Sequence, residues 1–176
     1  MKILLVQIEK TTDAYLLEGV KIYMERLKNY ISFNTETISM PKNIRQKPFD
    51  EQKIAEAKEI EKLLEPSDFL VCLDEHGKQF TSLQFAEFLN KRMVSGCKRV
   101  VFIIGGPFGI DQSILSKSSY ILSLSNMTFS HQMIRLFFCE QLYRGFSILR
   151  NEKYHLYVIF FLALSNLLLH LLFFRQ

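Results

Sequence analysis

The feature that most constrains the fold is the alternation of short apolar segments with longer segments of helical period. Apolar residues run almost without interruption through 3–8, 69–73, 99–104 and 120–124, and a further strand is predicted at 33–40. Strands that are apolar on both faces are typical of a parallel sheet covered by helices on each side. The sequence therefore predicts an α/β fold.

Helices are predicted between these strands because apolar residues recur three or four positions apart. In the first helix Leu16, Val20 and Leu27 share one face, and Asp13 stands near its start. In a second, from about residue 50, Ile54 is expected to point inward. Further helices are predicted at 82–94, 111–117 and 129–149. No repeat or linker divides these elements, so residues 1–155 are expected to form one domain.

The composition is that of an intracellular protein with a mild positive charge. The formal charge is +4 and Arg175 is the only charged residue after position 155, so residues 1–155 carry 4 − 1 = +3. This excess permits an RNA partner without indicating one. Three widely spaced cysteines favour a reduced compartment, and the apolar run after Lys2 lacks the features of a signal peptide. We expect a cytoplasmic protein in which Cys72 and Cys139 are buried.

Three loops are the candidates for a ligand site. In open parallel sheets, ligands bind beyond the carboxyl ends of the strands. That rule selects the loop after Leu73, the loop opened by Gly105-Gly106-Pro107, and the segment 124–129. Glycines at 105 and 106 would let the backbone approach a ligand closely, although a tight turn without a ligand needs them equally.

Four polar residues stand among the apolar residues of the last predicted helix: His131, Arg135, Tyr143 and Arg144. Arg135 and Tyr143 are eight positions apart, close to two turns, so they should share a face. A cap for His131, an ion pair for Arg135 and an interface contact for Tyr143 are the structural interpretations. The pattern leaves His131 and Tyr143 open between structure and function, and it favours function for Arg144.

Three motifs occur in a fixed order at short spacing. They are Gly105-Gly106-Pro107, the segment Leu-Ser-Leu-Ser-Asn-Met-Thr-Phe-Ser-His-Gln at 122–132, and Glu-Gln-Leu-Tyr-Arg at 140–144. A glycine turn alone is weak evidence, but the three together are specific. From Lys2 to about His155 the chain resembles the ribosomal RNA large subunit methyltransferase H family, a single-domain branch of the SPOUT methyltransferases.

The resemblance implies a fold, a cofactor and an assembly. The fold is an α/β trefoil knot, which nothing in composition or periodicity indicates, and the assembly is a homodimer. The cofactor is S-adenosylmethionine (AdoMet), and the family uses no metal ion. The residues that match the family's cofactor-binding segments are Leu73, Gly105, Leu124, Ser125, Asn126, Met127, Thr128 and Phe129.

The resemblance also implies an RNA substrate. In this family the methyl group is transferred to N3 of a pseudouridine in large-subunit (23S) rRNA on the ribosome. The residues expected around the substrate base are Arg144, His155, Tyr143, Arg135 and Tyr154. Which group accepts the proton stays open. The alternative is a non-catalytic RNA-binding or ribosome-binding relative, or a membrane-tethered variant.

Phosphate contacts are expected from basic residues in the loop and helix start at 42–53 or near the end of the domain, although a solvated face is the simpler role for any one of them. The candidates are Lys42, Arg45, Lys47, Lys53, Arg150 and Lys153.

The chain continues for 21 residues beyond His155, where members of the family stop. The segment 156–174 contains 14 Leu, Ile, Val or Phe residues and is barely long enough to span a bilayer. It is interpreted as an atypical apolar extension, 156–176, with three possible origins: a tail anchor, a helix folded onto the domain, or an extension created by a lost stop codon or shifted frame. The last is favoured, because the matching region is complete without it.

Overall fold

A computed structural model describes residues 1–155, and the predicted extension 156–176 lies outside the described residues. In chain order the elements are β1 (Lys2–Ile8), α1 (Ala14–Leu27), β2 (Ser32–Ile38), α2 (Lys42–Arg45), α3 (Phe49–Glu61), β3 (Phe69–Gln79), α4 (Ser82–Val94), β4 (Arg99–Ile104), α5 (Gln112–Lys117), β5 (Tyr120–Ser123), α6 (Met133–Leu149) and a turn of 3-10 helix (Lys153–His155). Up to residue 155, no helix combines the length and apolar content needed to cross a bilayer.

The five strands form one parallel sheet in the order β2-β1-β4-β3-β5. Successive side chains of a strand point to opposite faces, so an entirely apolar strand contributes to two cores. In β4, Val100 and Phe102 enter one core, and Val101 and Ile103 enter the other. The predicted α/β fold with a parallel sheet is confirmed.

Helices cover both faces of the sheet. α1, α4 and α6 pack on one face, where the rings of Phe138 in α6 and Phe102 in β4 lie 4.7 Å apart between centroids. α3 and α5 pack on the other face, and their Ile60 and Ile114 are fully buried. Burying each such side chain contributes about 1.5–3 kcal/mol. The carboxyl ends of the strands are thereby held at one edge of a rigid layer.

Two cysteines belong to these cores, as predicted. Cys72 lies in β3 and Cys139 in α6, and both are completely buried. Burial raises the pKa of each thiol to about 12, so both remain protonated at neutral pH. A protonated, inaccessible thiol is a small apolar side chain and not a nucleophile.

β3 is longer than predicted. It continues to Gln79 instead of ending at Leu73, with an irregular register between Leu73 and Lys78. Gly77 permits this, because a Cβ there would stand 2.6 Å from the carbonyl carbon of Leu122 in β5. The extension depends on close approach of a distant strand, so local periodicity gives no sign of it.

The helices also differ in detail from the expectations. Ile54 is 47% exposed, so its predicted inward position is wrong, and the polar Gln52 and Glu56 are buried on α3 instead. The amide of Gln52 donates to the carbonyls of Arg45 and Lys47, which anchors the loop before α3. That loop includes the unpredicted helix α2, and α6 begins at Met133 rather than near 129.

Candidate active site

A pocket of about 320 Å³ opens where β4 and β5 end and β3 becomes irregular. A cavity of this size can take a small organic ligand. Asn126 is the one predicted cofactor residue that does not line it. The seven that do are Leu73, Gly105, Leu124, Ser125, Met127, Thr128 and Phe129. The structure thus brings together the three loops selected from the sequence.

The glycine turn after β4 forms one wall of this pocket. A Cβ on Gly105 would stand 2.6 Å from the carbonyl oxygen of Gly109, and a bridge between Gly106 and Gly109 closes the turn. Gly109 has a φ of +84°, a left-handed conformation that favours glycine. The backbone of the turn therefore leaves no room for a side chain at position 105, and its conformation favours glycine at position 109.

The segment after β5 forms the opposite wall and is held by hydroxyl groups. The hydroxyl of Ser123 donates to the carbonyl of Ser125, and the hydroxyl of Ser125 accepts from the N–H of Met127. The Thr128 hydroxyl donates to Glu75 across the pocket mouth, at 3.3 Å. The backbone is ordered by these local bonds and not by regular secondary structure.

Two acidic residues in the pocket wall were missed from the sequence. Asp74 and Glu75 directly follow the apolar residues of β3 and line the cavity. Asp74 is held in place by bonds from the backbone and ring nitrogens of His76. The rule that had selected the loop after Leu73 would also have found them. Through residue 155, no cluster of His, Cys, Asp and Glu side chains is arranged to hold a metal ion.

His131 and Arg135 lie one turn apart near the start of α6, and they have different surroundings. His131 lines the pocket, and burial, followed by the nearby charge of Arg135, lowers its pKa, which favours a neutral ring at pH 7. Arg135 is 1% exposed and does not line the pocket. Its guanidinium donates to the carbonyl of Ile8 and the hydroxyl of Thr11. This arrangement supports a positioning role for Arg135 at the end of β1.

The remaining candidates form a cluster at the other end of α6. Arg144 donates twice to Glu140, one turn away, and its guanidinium lies 4.8 Å from the ring centroid of Tyr154. The rings of Tyr143 and Tyr154 meet edge to face at 4.7 Å. Burial, together with a hydrogen bond to Tyr23, raises the pKa of Tyr154, so its phenol is neutral at physiological pH.

The two groups of predicted residues are separate within one chain. Tyr143, Arg144 and Tyr154 do not line the pocket that the cofactor residues form. Arg144 retains a partly exposed side chain, at 16%, so it can still meet a ligand from outside the subunit. His155 ends the 3-10 turn, and its side chain lies outside the described part of the structure.

A buried carboxyl group of α3 packs against the glycine turn. Glu56 of α3 is 6% exposed, and its Oε1 would lie 2.8 Å from a Cβ on Gly106. Burial raises its pKa to about 7, and the negative charge of Glu9 adds to the shift, while a hydrogen bond from the Gly106 backbone N–H opposes it. Glu56 was missed from the sequence because it lies about 50 residues from the turn that it contacts.

Glu56→Gln is expected to increase the free energy of unfolding above pH 7. The folded pKa of about 7 exceeds the ordinary value of 4.5, so the wild-type protein loses stability as the pH rises between these values. Glutamine cannot ionise, yet it keeps an oxygen for the Gly106 N–H. The gain should be on the order of 2–3 kcal/mol at pH 8 and absent at pH 4. Urea unfolding across this range measures it, and an unchanged pH profile would contradict the assignment.

Comparison with known proteins identifies the family. A family model described as "Predicted SPOUT methyltransferase" matches residues 1–155. Proteins named ribosomal RNA large subunit methyltransferase H, from Parabacteroides distasonis and Flavobacterium johnsoniae, are 48% and 49% identical over 155 residues, covering 88% of this chain and 99% of each relative. The crystal structure of a probable methyltransferase from Bordetella pertussis has the same fold, with a TM-score of 0.51 at 9% identity, covering 82% of this chain and 96% of that one. The chain therefore belongs to the SPOUT methyltransferase family, in the branch of the ribosomal RNA large subunit methyltransferases H, as its motifs predicted.

Proposed function

We propose that this protein is an AdoMet-dependent methyltransferase of large-subunit (23S) rRNA. The observation that carries the proposal is the pocket at the carboxyl edge of the sheet, formed by the same three segments that the sequence selected. Relatives that align over nearly their whole length are named for this activity. The finer assignment, methylation of N3 of a pseudouridine on the ribosome, is part of the proposal.

The chemistry of the pocket suits AdoMet. Its floor is apolar, from Leu73 and Ile104, and its glycine wall lets a flat ring lie against backbone. The hydroxyl groups of Ser125 and Thr128 and the backbone of the segment 124–129 could form hydrogen bonds to adenine and ribose. The carboxylates of Asp74 and Glu75 stand at the edge, where they would favour the positive charges of the sulfonium and the amino group.

The residues of this chain have to position the reactants. Bound AdoMet supplies a methyl group that is already activated on sulfur, so alignment with the ring nitrogen is the main requirement. Alignment alone can account for roughly 7–11 kcal/mol of the barrier. Arg144 would stabilise the negative charge that develops on the base. The Tyr154 ring contacts the Arg144 guanidinium, and the Tyr143 ring packs against Tyr154. His155 is proposed to assist proton removal, as an imidazole can at neutral pH.

A homodimer with a trefoil knot is part of the same proposal. Since the cluster around Arg144 lies apart from the pocket in one chain, a second subunit could supply it across an interface. Apolar side chains are exposed on the two neighbouring helices α1 and α6, which supports burial against another copy. They are Tyr15, Leu17, Ile22 and Phe137. The cytoplasm, where ribosomes are found, is the proposed location.

The test is mass mapping of 23S rRNA from a strain without this gene. One pseudouridine should lack the mass of a methyl group, and purified protein with AdoMet should restore it on the isolated ribosomes. A chain ending at His155 should restore it equally, since the pocket and the Arg144 cluster both lie within residues 1–155. If the rRNA remains unmodified after folded, AdoMet-binding protein is added, the proposed activity is contradicted.

A further inference from the structure

Two exposed phenylalanine rings stack on each other beside the pocket. Phe49 is the first residue of α3, and Phe108 lies within the glycine turn. Their ring centroids are 4.0 Å apart and the ring planes are inclined by 23°. Phe49 is 63% exposed and Phe108 is 38% exposed. This pair is thus an aromatic surface facing solvent and not an outlying part of the core.

The pair is attached directly to the pocket wall. Pro107 and Gly109, on either side of Phe108, line the cavity, whereas Phe108 does not. Its ring stacks on Phe49 at the start of α3 and is not part of the cavity lining. A molecule that covers the two rings would therefore lie next to the pocket mouth without entering the cofactor space.

Basic residues accompany the rings on the side of α2. Gln52 holds the carbonyls of Arg45 and Lys47, so α2 is kept against the first turn of α3. Lys47 pairs with Glu51, whereas the side chain of Arg45 is 53% exposed, and its contact with Glu9 is long, at 3.9 Å. Arg45, four residues before Phe49 in the chain, therefore keeps about half of its side chain open to a phosphate group.

We propose that Phe49 and Phe108 form a platform on which an unpaired base of the RNA substrate stacks, next to the nucleotide that enters the pocket. The inference rests on the proposed function and adds a contact surface to it. Sequence-specific proteins bind RNA loops by stacking splayed bases on aromatic side chains and pairing phosphates with cations. Exposed rings, an available guanidinium and a shared wall with the pocket are the three elements of such a surface.

The test compares leucine with tyrosine at each position. Leucine keeps apolar volume without a flat face, whereas tyrosine retains the face. Phe49→Leu and Phe108→Leu should each weaken binding to ribosomes from the gene-deletion strain by between about fivefold and 150-fold, the range for losing one stacked base. Phe49→Tyr and Phe108→Tyr should bind as the wild type does. AdoMet affinity, measured by calorimetry without RNA, should be unchanged in all four.

Val94→Ala is the matched control, since Val94 is 80% exposed on α4, on the opposite face of the sheet from α3. Wild-type ribosome affinity in both leucine variants would overturn the platform. So would a change of oligomeric state on gel filtration, which would assign the rings to a subunit contact, or loss of AdoMet affinity in Phe49→Leu. Binding is measured separately from turnover, so an inactive wild-type protein would refute the proposed function and leave the stacking result interpretable.

Discussion

Gly105→Val is expected to reduce AdoMet affinity by about 100-fold while leaving the sheet folded. The first added carbon would stand 2.6 Å from the carbonyl oxygen of Gly109, a backbone atom that can move only with the whole turn. Overpacking of this kind typically costs roughly 1–3 kcal/mol, and here the displaced turn is also the wall of the ligand cavity. Isothermal calorimetry with AdoMet measures the effect.

The folding of the Gly105→Val protein has to be checked as well, because Gly105 directly follows β4 and the substitution could disturb that strand. Thermal unfolding followed by far-UV circular dichroism provides that control. Unchanged AdoMet affinity in a folded Gly105→Val protein would contradict the pocket assignment. Ile104 of the preceding strand is 3% exposed and forms part of the pocket floor, so Ile104→Val tests the same pocket with a smaller expected effect.

The sequence predicted most of the fold because the buried strands have a local signature. The apolar runs of β1 and β4 are visible without any knowledge of their partners. The features that the sequence did not predict depend on contacts between residues far apart in the chain. The continuation of β3 requires β5 to approach Gly77, and the buried face of α3 includes Gln52 and Glu56, which are polar. Periodicity assigns apolar residues inward, so it misplaced Ile54.

The candidate site also has parts that local motifs predicted and parts that depend on packing. The motifs mark Gly105, Gly106, Pro107 and the segment 124–129, and of these residues Asn126 alone does not line the pocket. Arg135 stood in a polar pattern together with Tyr143, yet its contacts are with the end of β1. Helical spacing indicates which residues share a face, but it does not indicate what that face meets. That information comes only from packing.

The second large effect is expected for Arg144→Ala, which should lower methyl transfer by about a hundredfold to a thousandfold. AdoMet binding should be retained, because Arg144 does not line the pocket. The substitution also breaks the ion pair with Glu140 and a contact with the Tyr154 ring, so some stability is lost. Single-turnover assays on ribosomes, with thermal unfolding alongside, separate the two effects.

Glu140→Gln is the matched control for the ion pair. It removes the partner's charge while leaving Arg144 in place, so a purely structural Arg144 would make the two variants equally inactive. Arg144→Lys should be intermediate, since a lysine keeps the charge but loses the paired donation to Glu140 Oε1 and the guanidinium contact with the Tyr154 ring. Normal turnover in folded Arg144→Ala would remove this residue from the site.

Mixing the two inactive proteins tests whether the site is shared between subunits. If the pocket of one chain meets Arg144 of another, a dimer of one Gly105→Val chain and one Arg144→Ala chain contains one site in which both parts are wild type. Random pairing in a symmetric dimer gives such heterodimers half of the time, so about a quarter of wild-type activity should return. If both parts belonged to the same chain, every site in the mixture would carry one defect and no activity would return. The separation of the pocket from the Arg144 cluster within one chain favours the first result.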